Sequence, residues 1–117
     1  MTDLKERTKQ FAIDCWRFCS KVPNSREFNA YVNQLIRSSS SVGANYRAAQ
    51  RAKSTADFIN KLKIVEEEAD ESMYFLEIFM QTLESNIEQA RKLHKECKEI
   101  VSIVVTSIKT AKSKLNK

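Results

Sequence analysis

The stretch Ser38-Ser39-Ser40-Ser41-Val42-Gly43-Ala44-Asn45 decides the fold. Ser, Gly and Asn are loop formers, and a loop here would cut the chain into short pieces. The apolar residues around it point the other way. Phe28, Val32, Leu35, Ser39, Val42, Tyr46 and Ala49 follow one another at alternating steps of four and three, with no slip of phase across the serines. That spacing keeps one stripe on one face of a helix. The stretch is therefore read as the middle of a continuous helix over residues 26–53. Gly43 then costs the helix about 1 kcal/mol relative to Ala. A run of small residues lets a neighbouring backbone approach closely, and that contact offsets the cost. A phosphate-binding loop is disfavoured, because the stretch has no Gly-rich repeat and no P-loop Lys.

The same periodicity recurs on both sides. Leu4, Thr8, Phe11, Cys15, Phe18 and Val22 mark a helix over residues 2–21, ended by Pro23-Asn24 with Ser25 as a plain N-cap for the next. Phe58, Leu62, Val65, Ala69, Ser72, Leu76, Phe79 and Leu83 mark a third, over 55–83. Ser54 or Thr55 can cap it, and Asp57 lies in its first turn, where the helix dipole favours negative charge. Ile87, Ala90, His94, Cys97, Val101, Val104, Ile108, Ala111 and Leu115 mark a fourth, over 86–114, with a Lys-rich end. Short links between long helices force antiparallel neighbours. The expected fold is all-α, an antiparallel up-down-up-down four-helix bundle forming a single domain over 1–117. A single Gly and a single Pro argue against a fold built on hairpin turns. Tyr31, Ile36, Ile59, Phe75 and Ile103 lie off the main stripes. Exposed, they would form the kind of patch that marks an interface, so self-association is expected.

Charge is sorted by height. An antiparallel bundle gathers the N-terminus, the turn between the second and third helices, and the C-terminus at one end. Twelve basic residues fall there: Lys5, Arg7, Lys9, Arg47, Arg51, Lys53, Lys61, Lys63, Lys109, Lys112, Lys114 and Lys117. Three acids accompany them, Asp3, Glu6 and Asp57, leaving a surplus of nine positive charges in a chain whose net charge is +5. The balance is acidic, much of it from Glu66, Glu67, Glu68, Asp70, Glu71 and Glu77. A concentrated basic end is the electrostatic footprint of phosphate binding. The candidate contacts are Arg47, Arg51, Lys53, Lys61, Lys63, Lys109, Lys112 and Lys114. Tyr46 lies among them and can stack on a base, although it occupies a core-facing position. Glu68, Glu71 and Glu77 are placed to pair with Arg37 or Arg47 across the bundle, with Asn45 hydrogen-bonded in the same interior, since an inward carboxylate needs a partner.

Signals for catalysis are weak. There is one His, it falls on an apolar stripe, and no Glu-x-x-His pair is present. The chain is read as a non-enzyme without a cofactor. Cys15 and Cys19 stand one turn apart, and His94 and Cys97 share a face. These are either small core hydrophobes or a four-ligand metal site joining the first and last helices. No apolar run approaches the ~20 residues of a membrane span, and the charged start MTDLKERTKQ lacks a signal-peptide core. A cytoplasmic location without membrane contact is expected.

The run Gln34-Leu35-Ile36-Arg37-Ser38-Ser39-Ser40-Ser41-Val42-Gly43-Ala44-Asn45, followed by Ala49-Gln50, Ser54, Asp57-Phe58-Ile59 and Lys61-Leu62, resembles the four-helix-bundle family of 23S rRNA intervening-sequence proteins. Glu68-Ala69, Glu71-Ser72, Tyr74-Phe75-Leu76-Glu77 and Thr106-Ser107-Ile108-Lys109-Thr110-Ala111 fit the same pattern. The Arg-Ser-x-x-Ser-x-Gly-Ala-Asn core, with Arg37, Ser38, Gly43 and Asn45, is its most specific part. The resemblance implies a bacterial protein, a left-handed bundle and a homopentamer. It also implies similarity to accessory proteins of diversity-generating retroelements, which are basic pentameric barrels that bind nucleic acid and a reverse transcriptase. No catalytic residues come with it. After Ala-Asn the pattern usually has an aliphatic or acidic residue; here Tyr46 and Arg47 stand instead, adding positive charge. Two functions follow as expectations. One is an oligomeric module that binds RNA or DNA through its basic end. The other is a scaffold for a protein partner such as a reverse transcriptase.

Overall fold

The computed structural model describes residues 3–116. Met1, Thr2 and Lys117 lie outside them, so the expected helix start at Thr2 and the basic contribution of Lys117 are not described. Four helices make up most of the described residues: α1 Leu4–Cys19, α2 Arg26–Gln50, α3 Thr55–Thr82 and α4 Ile87–Leu115. α1 lies against α2 and α4, α2 against α3, and α3 against α4, so each helix is antiparallel to its sequence neighbour. The bundle is a rod of 52 × 22 × 21 Å. It is the all-α bundle that the periodicity predicts.

The apolar stripes form one core. Phe11, Cys15 and Phe18 of α1, Leu35 and Val42 of α2, Leu62, Val65, Leu76 and Phe79 of α3, and Cys97, Ile100 and Val104 of α4 are fully shielded from solvent. Phe18 meets Phe79 edge to face at 5.4 Å between ring centres, a favoured aromatic geometry. The stretch Ser38–Asn45 is continuous helix. A Cβ on Gly43 would stand 3.5 Å from the Thr8 backbone, so α1 crosses α2 closely there. Small residues at this level allow the approach.

Helix ends differ from expectation by a few residues, for local reasons. α1 stops at Cys19 rather than Lys21. The N–H groups of Lys21 and Val22 donate to the carbonyls of Phe18 and Cys19, at 3.0 and 3.2 Å, which tightens the last turn. Pro23 disfavours helix at Val22. α2 stops at Gln50 rather than Lys53. The N–H groups of Arg51 and Ala52 donate to the carbonyls of Ala48 and Ala49, 3.1 Å each, which tightens the last turn. The Lys53 N–H then donates to Asp57 Oδ2 at 3.0 Å and draws the chain into α3. Ser25 and Ser54 cap α2 and α3 by accepting the N–H of Phe28 and Asp57. Asn86, at φ 64°, leads into α4; Asn tolerates this left-handed conformation.

The expected off-stripe patch is not what the fold exposes. Ile59 and Phe75 are buried, and Ile36 is half-buried. Apolar faces wider than one stripe let α3 serve both neighbours. Tyr31 and Ile103 are partly exposed, but the most exposed large apolar side chains are Trp16 at 61% and Tyr74 at 60%.

Candidate nucleic-acid interface

The short turn between α2 and α3 brings three chain segments to one pole. Ala49, Ala52 and Thr55 of the turn region face Thr110 and Lys114 of α4 across one cavity. Lys5 and Lys9 of α1 line another depression with Arg47 of α2. Arg47 also lines a groove with Arg51, Lys53 and Lys61. A positive track therefore runs from Lys5 and Lys9 across Arg47 to Arg51 and Lys53. No carboxylate among the described residues lies within 4 Å of the charged end of any of these five. Lys109 and Lys112 are exposed on the last turns of α4.

Two other basic residues assigned to this end, Lys61 and Arg7, are held by carboxylates. Lys61 Nζ donates to both oxygens of Asp57 at 2.7 Å. This bond, with the Lys53 N–H, holds the Asp57 carboxyl below its ordinary value. Lys63 shares a depression with Glu66, Glu67 and Asp70 of α3 but, among the described residues, forms no ion pair with them. Arg7 turns away from the pole and forks onto Glu96 of α4, with two bonds of 2.7 Å, while Glu99 stands at 3.5 Å. The hydrogen bonds to Glu96 raise the Arg7 pKa. The effective cationic surface is thus narrower than the count from sequence, and it includes Lys5 and Lys9, which were absent from the eight candidate contacts. Their four-residue spacing was the available signal; their neighbour Arg47 depends on the register between α1 and α2.

The charge pairing expected inside the bundle occurs in part, and at the surface, with Arg37 exposed and Glu71 partly exposed. Arg37 bonds Glu68 at 2.9 Å and also Glu71, tying α2 to α3. Ser38 and Ser72 meet in the buried interface between the same helices. Glu77 does not reach an arginine; it contacts His94 Nε2 at 2.9 Å, because both lie on facing turns of α3 and α4. Asn45 does not cross the bundle either. Its side-chain amide donates to the Ser41 carbonyl one turn back in its own helix, at 2.8 Å. Tyr46 is half-buried, and burial raises its pKa.

The cysteines do not assemble with His94. Cys97 Sγ bonds the Ala69 carbonyl at 3.1 Å, and His94 is turned to Glu77. No group of three or more His, Cys, Asp or Glu side chains among the described residues is arranged to hold a metal ion. Cys15, Cys19 and Cys97 are buried free thiols. None of the four helices is long and apolar enough to cross a membrane.

The family model described as "23S rRNA-intervening sequence protein" matches residues 2–106. The chain belongs to that family. A crystal structure of a protein of unknown function from the S23 ribosomal protein family of Bacteroides thetaiotaomicron is similar throughout, with 32% identity and a TM-score of 0.80. The likeness covers 92% of this chain and 99% of that one. No curated protein matches. The family match and this likeness accord with the four-helix bundle.

Proposed function

We propose that this 23S rRNA-intervening sequence family member is a non-enzymatic, oligomeric module that contacts RNA or DNA phosphates with its basic pole. The unpaired track Lys5, Lys9, Arg47, Arg51 and Lys53 carries the reading. Phosphate contacts dominate the affinity of proteins for nucleic acids, and cations not already held by carboxylates are the ones available to displace counterions. Exposed Trp16 and Tyr74 support self-association, since large aromatic side chains are enriched in interfaces. The family resemblance supports five copies, and several poles around one axis multiply the field. Free buried thiols fit a cytoplasmic location. The test is fluorescence anisotropy with labelled RNA and DNA at two salt concentrations. Binding that weakens with salt supports the proposal; absence of binding at low salt removes it.

The same exposed Trp16 and Tyr74 favour a second reading, a scaffold for a protein such as a reverse transcriptase. Affinity capture separates the two. Recovery of nucleic acid alone counts against the scaffold, and recovery of a protein partner after nuclease treatment supports it.

A further inference from the structure

The cavity between the α2–α3 turn and the end of α4 differs in character from the positive track. Its volume is about 510 Å³, within the range of small-ligand pockets. Ala49, Ala52, Phe58 and Ala111 give it apolar walls. Phe58 is half-buried against the core, and the part of its side chain left uncovered lines the cavity.

Hydroxyls and the Gln50 amide supply the uncharged polar part of the lining. Thr106 Oγ1 and Ser107 Oγ donate to the carbonyls of Ser102 and Ile103, 3.0 Å each, and keep lone pairs to accept. Ser54 Oγ accepts the Asp57 N–H at 3.1 Å and keeps its proton to donate. Lys114 adds one cationic donor. Donors and acceptors over apolar walls suit a nucleobase better than an inorganic anion. Asp57, in the first turn of α3, opposes an anion at that helix end.

Resting on the nucleic-acid reading above, we infer that this cavity takes one unpaired nucleobase, with flanking phosphates on Lys114, Arg51 and Lys53. A paired base stays stacked in its duplex and must be flipped out to enter such a pocket. Single strands, bulges and loops present unstacked bases, and stacking on an aromatic side chain tolerates any sequence. The inference gives the pole a preference for single-stranded over duplex nucleic acid.

The experiment compares the full chain's affinity for three labelled probes at one salt concentration: a single-stranded RNA, a duplex of equal length, and a single strand in which the bases are replaced by abasic sites. The expected order is single strand first, by about tenfold over both others, as one stacked base can supply. Filling the cavity with Thr110→Trp, on an exposed position of α4, is expected to remove that tenfold preference and leave duplex binding unchanged. Ala52→Leu serves as a second filler should the first disturb the bundle. Equal binding of the three probes overturns the inference and leaves phosphate contact standing, as does an unchanged preference in both folded variants. Failure of all three probes to bind overturns both readings.

Discussion

Ser38 of α2 and Ser72 of α3 place their hydroxyl oxygens 2.8 Å apart in an interface fully closed to solvent. Ser72 also lies 2.9 Å from the Glu68 carbonyl, while the only other contact of Ser38 is a long 3.3 Å one to Leu35. Ser72→Ala therefore leaves a buried hydroxyl poorly satisfied. Its expected cost is about 1–2 kcal/mol. Replacing both serines by alanine removes donor and acceptor together, so the double variant costs less than the sum of the single ones. Urea unfolding of the three variants checks this; strict additivity contradicts it.

Arg7 is expected to matter for stability and not for nucleic acid. Its fork onto Glu96 lies partly exposed, so solvent screening holds the loss in Arg7→Ala to about 1 kcal/mol. The loss shrinks in high salt. Nucleic-acid affinity stays within about twofold of the parent, because this cation is already committed to a carboxylate. A drop in affinity as large as that from Arg47→Gln would show that net charge alone governs binding.

Burial pushes the Cys19 and Cys97 thiols up to about 12 and raises Cys15 as well. Above pH 9 the unfolded chain releases thiol protons that the folded chain retains. Stability is therefore expected to be unaffected by these groups below pH 9 and to fall between pH 9 and 12. The slope approaches about 1.4 kcal/mol per pH unit for each thiol. Cys97→Ala should lessen the alkaline slope by that amount, measured by urea melts across the range. At pH 8, below that window, a thiol reagent labels the protein only as fast as it opens. Immediate labelling of native protein at pH 8 contradicts the buried placement.

Gly43 tests the reading of the serine-rich stretch. An added Cβ would meet Thr8 Oγ1 at 3.4 Å and its backbone at 3.5 Å, which is ordinary contact. Gly43→Ala is expected to change stability by less than about 1 kcal/mol, with better helix propensity set against a tight fit. Gly43→Leu would press a larger side chain against Thr8 at the close crossing and should cost several-fold more. Equal melting of Ala and Leu variants would mean that the close crossing is absent.

The helices were legible because alternating steps of three and four survive even through Ser38–Asn45, where composition suggests a loop. Their ends were less so: Gln50 ends α2 because Lys53 and Asp57 bond across the turn, a detail outside the periodic pattern. The pairing of Lys61 with Asp57 lay within reach, since the two are four residues apart on one helix. The capture of Arg7 by Glu96 did not, because it joins α1 to α4 across the sequence. The same holds for Lys5 and Lys9 beside Arg47. Charge per segment can be counted from the chain, but which charges remain unpaired depends on side-chain register between helices.

The most direct measurement compares two triple variants of equal net charge. Arg47→Gln, Arg51→Gln and Lys53→Gln remove the track at the α2–α3 turn. Lys92→Gln, Lys95→Gln and Lys98→Gln remove three exposed cations from the first half of α4. Salt titrations of RNA binding should show the first triple at least tenfold weaker, with the slope of log affinity against log salt reduced by about 2–3. The second should match the parent within about twofold. Equal losses in the two triples would contradict a localised phosphate-binding pole.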